Sequence, residues 1–173
     1  MTDTETLNTE PQRQFLEQIK NARCVMLGSP DASQQLQPMS PQVDSAMIED
    51  AENGQDAVVY FYSDNTSELG RTVLERPGDH VRLVFMDKDY QVSATGALDV
   101  ERSPDLVERF WNPIAASWYP SGQDDPKMLM LKFTLDQAQV WASDANFVTF
   151  LYETAKANLT DTLPDVGARA EIG

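Results

Sequence analysis

The run Tyr60-Phe61-Tyr62-Ser63-Asp64, with Thr66 and Ser67 just beyond it, gathers rings, hydroxyls and a carboxylate where a strand hands over to a helix. Free N–H groups at a helix start, together with nearby hydroxyls, can hold a phosphate, and the rings suit a flat aromatic ligand. Other reactive types are sparse. His80 is the one histidine and opens a strand, where a surface or satisfied role is expected. Cys24, the one cysteine, lies in the apolar stretch "CVMLG" and reads as a small buried hydrophobe that can form no internal disulfide. One histidine and one cysteine are too few for a zinc site of the usual kind. The pairs Asp87/Asp89 and Asp124/Asp125 lack the alternating ligands of a calcium loop and read as turn formers. There is no Gly-rich phosphate loop of the Walker type and no GxGxxG. No serine has a histidine partner apart from His80, so a hydrolytic triad is not expected. No metal site is expected, and no residue stands out as a catalytic acid or base.

The stretch "FWNPIAASWYPSGQDDP", residues 110–126, holds Trp111 and Trp118 among three prolines. It is too aromatic for a disposable loop and too broken by proline for a regular helix. It reads as a proline-braced wrap whose tryptophans either flank a ligand ring or cap the core.

These groups need elements to position them. "TEPQRQFLEQIKNAR" predicts a helix capped at Thr9, with Phe15, Leu16 and Ile19 as its apolar stripe. "CVMLGSP" predicts a short buried strand, and "QQLQPMSPQVD" an edge strand, because Pro38 and Pro41 cannot donate to a ladder. "DSAMIEDAENGQD" reads as polar and turn-rich. "AVVYFYS" is the strongest strand, and a short helix capped near Asp64 follows, stopped at Pro77-Gly78. Residues 80–101 predict two strands turning at Asp87-Lys88-Asp89, and "SPDLVERFW" a helix with Ser103 as cap and Pro104 first. "MLMLKFTLDQAQVWAS" predicts one or two strands, and "ANFVTFLYETAKAN" a last helix. The expected boundaries are a flexible start over 1–9, one domain over 10–158 with helices at both ends, and a loose tail over 159–173. A run of about six strands between helices, without βαβ alternation, predicts the α+β class with a small antiparallel barrel or sandwich. Exposed strand faces of such a barrel are ones a partner subunit often covers.

The totals narrow the function classes. Of 173 residues, 41% are hydrophobic and 24% charged, and no apolar run is long enough to span a bilayer. The net charge of −15 argues against nucleic acid and anionic membrane as partners, and any anionic ligand must meet a local cluster of donors. The polar, acidic start and the lone cysteine point to the cytoplasm.

In order along the chain, "QPM", "VVYFYSD", Ser67, "VRLVFMDKDYQVSATGALDV" and "FWNPIAASWYPSGQDDPKMLMLKF" resemble the general stress protein 26 group of the pyridoxamine 5′-phosphate oxidase-like superfamily. The most specific part is the spacing of Trp111, Pro113, Trp118, Pro120, Gly122, Asp125 and Pro126. The resemblance implies a six-stranded antiparallel split β-barrel with flanking helices, a homodimer, and an FMN site at each subunit interface, with FAD possible. It implies that the ring lies against Pro38 to Ser40 and Phe61 to Ser63, Tyr62 included, that Ser63, Asp64 and Ser67 form the second flavin motif, and that the phosphate sits by Ser63, Ser67 and the helix start. Trp111 and Trp118 would flank the ring or close the dimer. Two positions depart from the family pattern. Gln37, before Pro38 and Met39, stands where an arginine is expected, and Leu69 where a lysine is expected. Charge-assisted contacts contribute roughly 1.5–3 kcal/mol against about 0.5–1.5 for neutral ones, so flavin binding is expected to be weakened. Arg71, Arg76 and Arg82 are the nearby candidates to replace the lost charge. A flavin-free dimeric stress or interaction protein on the same barrel is the alternative.

Overall fold

The computed structural model describes residues 3–31, 34–142 and 168–172. The β-branched and aromatic run at the centre of the chain forms β3 (Val58–Asp64), and the hairpin predicted around Asp87–Asp89 forms β4 (His80–Asp87) and β5 (Tyr90–Glu101). With β1 (Val25–Gly28), β2 (Gln37–Met39) and the long β6 (Met128–Ala142), they build one antiparallel sheet in the order β2-β1-β4-β5-β6-β3. The sheet then bends back on itself. Just past β2, Gln42 forms a bridge with Tyr60 of β3, with N–H to carbonyl bonds of 2.8 and 3.2 Å. Among the described residues no ladder joins β2 to β3 beyond this bridge, and this is the split of the barrel.

The alternation of β3 decides what each face meets. Val59 and Phe61 point into the barrel core with Leu27, Leu83, Leu98, Leu131 and Phe133, closed at one end by Phe15, Leu16 and Ile19. Tyr60 on the opposite face joins a second cluster with Met47, Val107, Phe110 and Met130. The close path of β5 over β6 depends on Gly96, at the register shift after Thr95. A Cβ there would run into the Thr134 carbonyl and come within 2.7 Å of the Phe133 ring.

Helices pack outside. The first, α1 (Asp3–Lys20), carries Phe15, Leu16 and Ile19 as expected but begins well before Thr9. Pro11 lies inside the helix. The segment read as turn-rich is instead α2 (Ser45–Glu52). Asp44 caps it by accepting from Met47 N–H, and Met47 and Ala51, one turn apart, bury its inner side. The same Asp44 carboxylate accepts 2.5 and 2.6 Å bonds from Arg109, tying α2 to α4 (Pro104–Phe110). Ser103 takes the cap position of α4 but makes no side-chain cap bond, while Glu101 accepts from the N–H groups of Arg102 and Ser103.

The end of the chain also differs from a loose tail. Residues Ala168–Ile172 form β7, which takes the edge of β6 beyond the reach of β3, pairing Ala138↔Ile172 through Ala142↔Ala168. A long-range ladder of this kind leaves no local signal. The helix expected from "ANFVTFLYETAKAN" lies outside the described residues. Among the described residues, no helix is long and apolar enough to cross a membrane.

Candidate functional site

The opening of the barrel becomes a site because three elements meet there. The turn after β3 is built locally. Asp64 accepts from Thr66 N–H (2.6 Å) and Thr66 Oγ (2.5 Å), and these bonds hold its carboxyl below the usual carboxylate range. Ser67, rather than Asp64, caps α3 (Glu68–Glu75), accepting from Gly70 N–H at 2.9 Å while its hydroxyl donates to the Asp64 carbonyl at 2.7 Å. Gly70 is required: a Cβ would collide with that same carbonyl. Ser63, buried at the end of β3, places its Oγ 3.4 Å from Ser67 Oγ.

The stretch 110–126 is more regular than its prolines predict. Pro113 occupies the first turn of α5 (Pro113–Trp118), where a missing N–H costs nothing, and Asn112 caps it by accepting from Ile114 and Ala115 N–H. Tyr119 then turns inward, and its hydroxyl donates to the Ser63 carbonyl at 2.7 Å. Tyr62 donates to the Val107 carbonyl at 2.6 Å. The rings of Tyr62, Trp111 and Tyr119 contact one another at 5.9 to 6.4 Å. Burial pushes both phenols up to about 12, Tyr119 helped by the negative charges of Asp64 and Asp125.

These groups border a cleft of about 680 Å³ at the split, within the roughly 300–1,000 Å³ usual for small-molecule sites. One wall is the chain from Gln37 to Gln42, including Pro38, Met39 and Ser40. The second is Tyr62, Ser63, Asp64 and Ser67, and the third is α5 with Trp118 and Tyr119. All but two of the expected cofactor residues are therefore brought together. The exceptions are Phe61, whose side chain is buried in the core, and Trp111, which stacks behind Tyr62 and Tyr119. Trp118 is 76% exposed and Ile114 71%, so Trp118 does not cap the core. Leu69, at the expected lysine position, is buried in the core and presents nothing to the cleft.

The expected replacement cations are elsewhere. Arg76 pairs with Asp79, Arg82 lines a different cavity with Ser93 and Gln137, and Arg71 does not border the cleft. Arg23, which sequence reading passed over, does border it, as do Gln42, Asn112, Ile114 and Tyr119. Cys24 beside it is exposed, not buried, because the alternation of β1 buries Val25 and Leu27. Among the described residues there is no cluster of three or more metal-ligating side chains.

The family model for pyridoxamine 5′-phosphate oxidase like proteins matches residues 10–165. The chain belongs to this family. Solved structures agree with the assignment. General stress protein 26 from Jannaschia sp. is 28% identical, with a TM-score of 0.71 over 95% of this chain and 98% of that one. The general stress FMN/FAD binding protein of Xanthomonas citri is 25% identical, with a TM-score of 0.63 over 90% and 96%. A general stress family protein of Xanthomonas campestris is 27% identical, with a TM-score of 0.64 over 96% and 99%. No curated protein matches. Pyridoxamine 5′-phosphate oxidase like membership makes a flavin the group to test against the cleft. The volume, the extended wall at Pro38–Ser40, the aromatic floor and the hydroxyls of Ser63 and Ser67 fit a planar ring with a phosphate. The donors are neutral apart from Arg23.

Proposed function

We propose that this protein binds FMN, or alternatively FAD, in the cleft between β2, β3 and α5, and serves in the cytoplasm as a homodimeric, flavin-dependent oxidoreductase-like stress protein. The observation that carries this reading is that the cleft opens at the barrel split and is bordered by the β2, β3 and α3-start residues expected of a flavin site. A bound flavin supplies hydride and single-electron chemistry. The chain's own residues bind and orient it. The backbone of Pro38 to Ser40 and the Tyr62 and Tyr119 rings would hold the flavin ring, Trp118 would screen it from water, Ser63 would offer its hydroxyl to the phosphate, and Ser67 would do so on turning its hydroxyl from the Asp64 carbonyl. The phenols of Tyr62 and Tyr119 stay protonated at neutral pH and engaged with carbonyls, so neither serves as a base. Exposed Ile114 and Trp118 on the rim support a second subunit closing the cleft.

The grip on phosphate is weaker than the family pattern supplies, because Gln37 is neutral and Leu69 is buried. That same observation favours a second reading, a flavin-free stress or interaction protein on the same barrel. A visible spectrum of the freshly purified protein, followed by titration with FMN and FAD, separates them. Flavin absorbance, or saturable uptake, is expected. A colourless protein that takes up neither cofactor refutes the flavin reading. Light scattering on the same samples is expected to give the mass of a dimer.

A further inference from the structure

Two charged side chains border the cleft among the described residues, Asp64 and Arg23. Asp64 is committed to Thr66 and remains an anion, so it repels an anionic ligand. Arg23 makes no ion pair among the described residues. Its main chain is fixed at the rim of the split. The Ser40 hydroxyl donates to the Arg23 carbonyl at 3.3 Å, and Val25, two residues on, pairs with Met39. Arg23 therefore stands at the head of β1, beside the split. In a chain of net charge −15, a phosphate finds no general attraction and needs a local cation. Both motif positions that the resemblance assigns to cations are neutral here.

Resting on the flavin reading above, we infer that Arg23 holds the phosphate of the bound flavin. The positive charge is supplied from the start of β1 instead of from β2 and α3. Its guanidinium forms the charge-assisted contact that Ser63 and Ser67 alone cannot.

Riboflavin isolates this charge, since it carries the same ring and ribityl chain as FMN without the phosphate. Both are titrated into the full chain and into Arg23→Gln and Arg23→Lys, followed by flavin fluorescence at low and high salt. The wild type is expected to bind FMN more tightly than riboflavin, by a margin that shrinks as salt rises. Arg23→Gln is expected to lose roughly tenfold or more in FMN affinity, the scale of one charge-assisted contact, with riboflavin affinity unchanged. Arg23→Lys keeps most of the margin. Equal FMN affinity in the wild type and Arg23→Gln overturns the assignment, as does an equal loss for both flavins. If the wild type takes up neither flavin, this inference falls together with the flavin reading. If it takes up both and Arg23→Gln loses nothing, only the role of Arg23 falls.

Discussion

Gly70 lies in the first turn of α3, where a Cβ would meet the Asp64 carbonyl and stand 2.9 Å from Ser67 Oγ. Gly70→Ala must push the turn apart, so chemical denaturation is expected to show a loss of about 1–3 kcal/mol, the usual cost of overpacking. FMN affinity is expected to fall with it, because the displaced turn carries the proposed phosphate donors. Trp118 makes the opposite case. Its side chain is 76% exposed in the single chain, so Trp118→Ala is expected to leave the barrel core intact while weakening FMN uptake and, if a second subunit closes over this rim, the dimer. An unchanged FMN affinity would remove Trp118 from the site. The sequence placed most of the cleft residues because they follow a strand-to-helix handover and a spaced aromatic motif. It could not place Arg23, which belongs to no motif. Arg23 reaches the cleft only because β1 pairs with β2 at the barrel opening.

Tyr62 and Tyr119 join separate elements: one hydroxyl ties β3 to α4, and the other ties the end of α5 to β3. Burial raises both phenols from the ordinary 10.0 to about 12. A phenol whose folded value is raised favours the neutral form in the fold. Its stabilisation is whole below pH 10 and is lost as pH rises from about 10 to about 12. Stability measured against pH is therefore expected to decline in that alkaline window, and less steeply in Tyr62→Phe/Tyr119→Phe. Elements were legible where their pattern was local and strong. β3 announced itself through β-branched and aromatic residues, and the β4–β5 hairpin through its acidic turn. α2 went unread because its two buried residues, Met47 and Ala51, sit in a polar, acidic sequence. α5 was hidden by Pro113, a residue that breaks helices everywhere except in the first turn. β7 has no local signature, since among the described residues its strand partner is the distant β6.

For the molecule as a unit, element order gave the α+β class with an antiparallel barrel or sandwich and the family resemblance singled out the barrel, whereas its curvature and opening depend on contacts between distant residues. Its net charge of −15 makes self-repulsion a property of the whole surface. Raising sodium chloride from about 0.01 to 0.15 M shortens the screening distance from about 30 to about 8 Å, so the melting temperature is expected to climb by several degrees. A flat response would mean that the acidic groups are already compensated locally. The Gln42–Tyr60 bridge has a mechanical consequence. Where other neighbouring strands share continuous ladders, these two edges are laced by a single rung. Whatever fills the gap beside that rung acts as a rivet, and loading the cleft should slow amide hydrogen exchange along the seam as the ring stiffens.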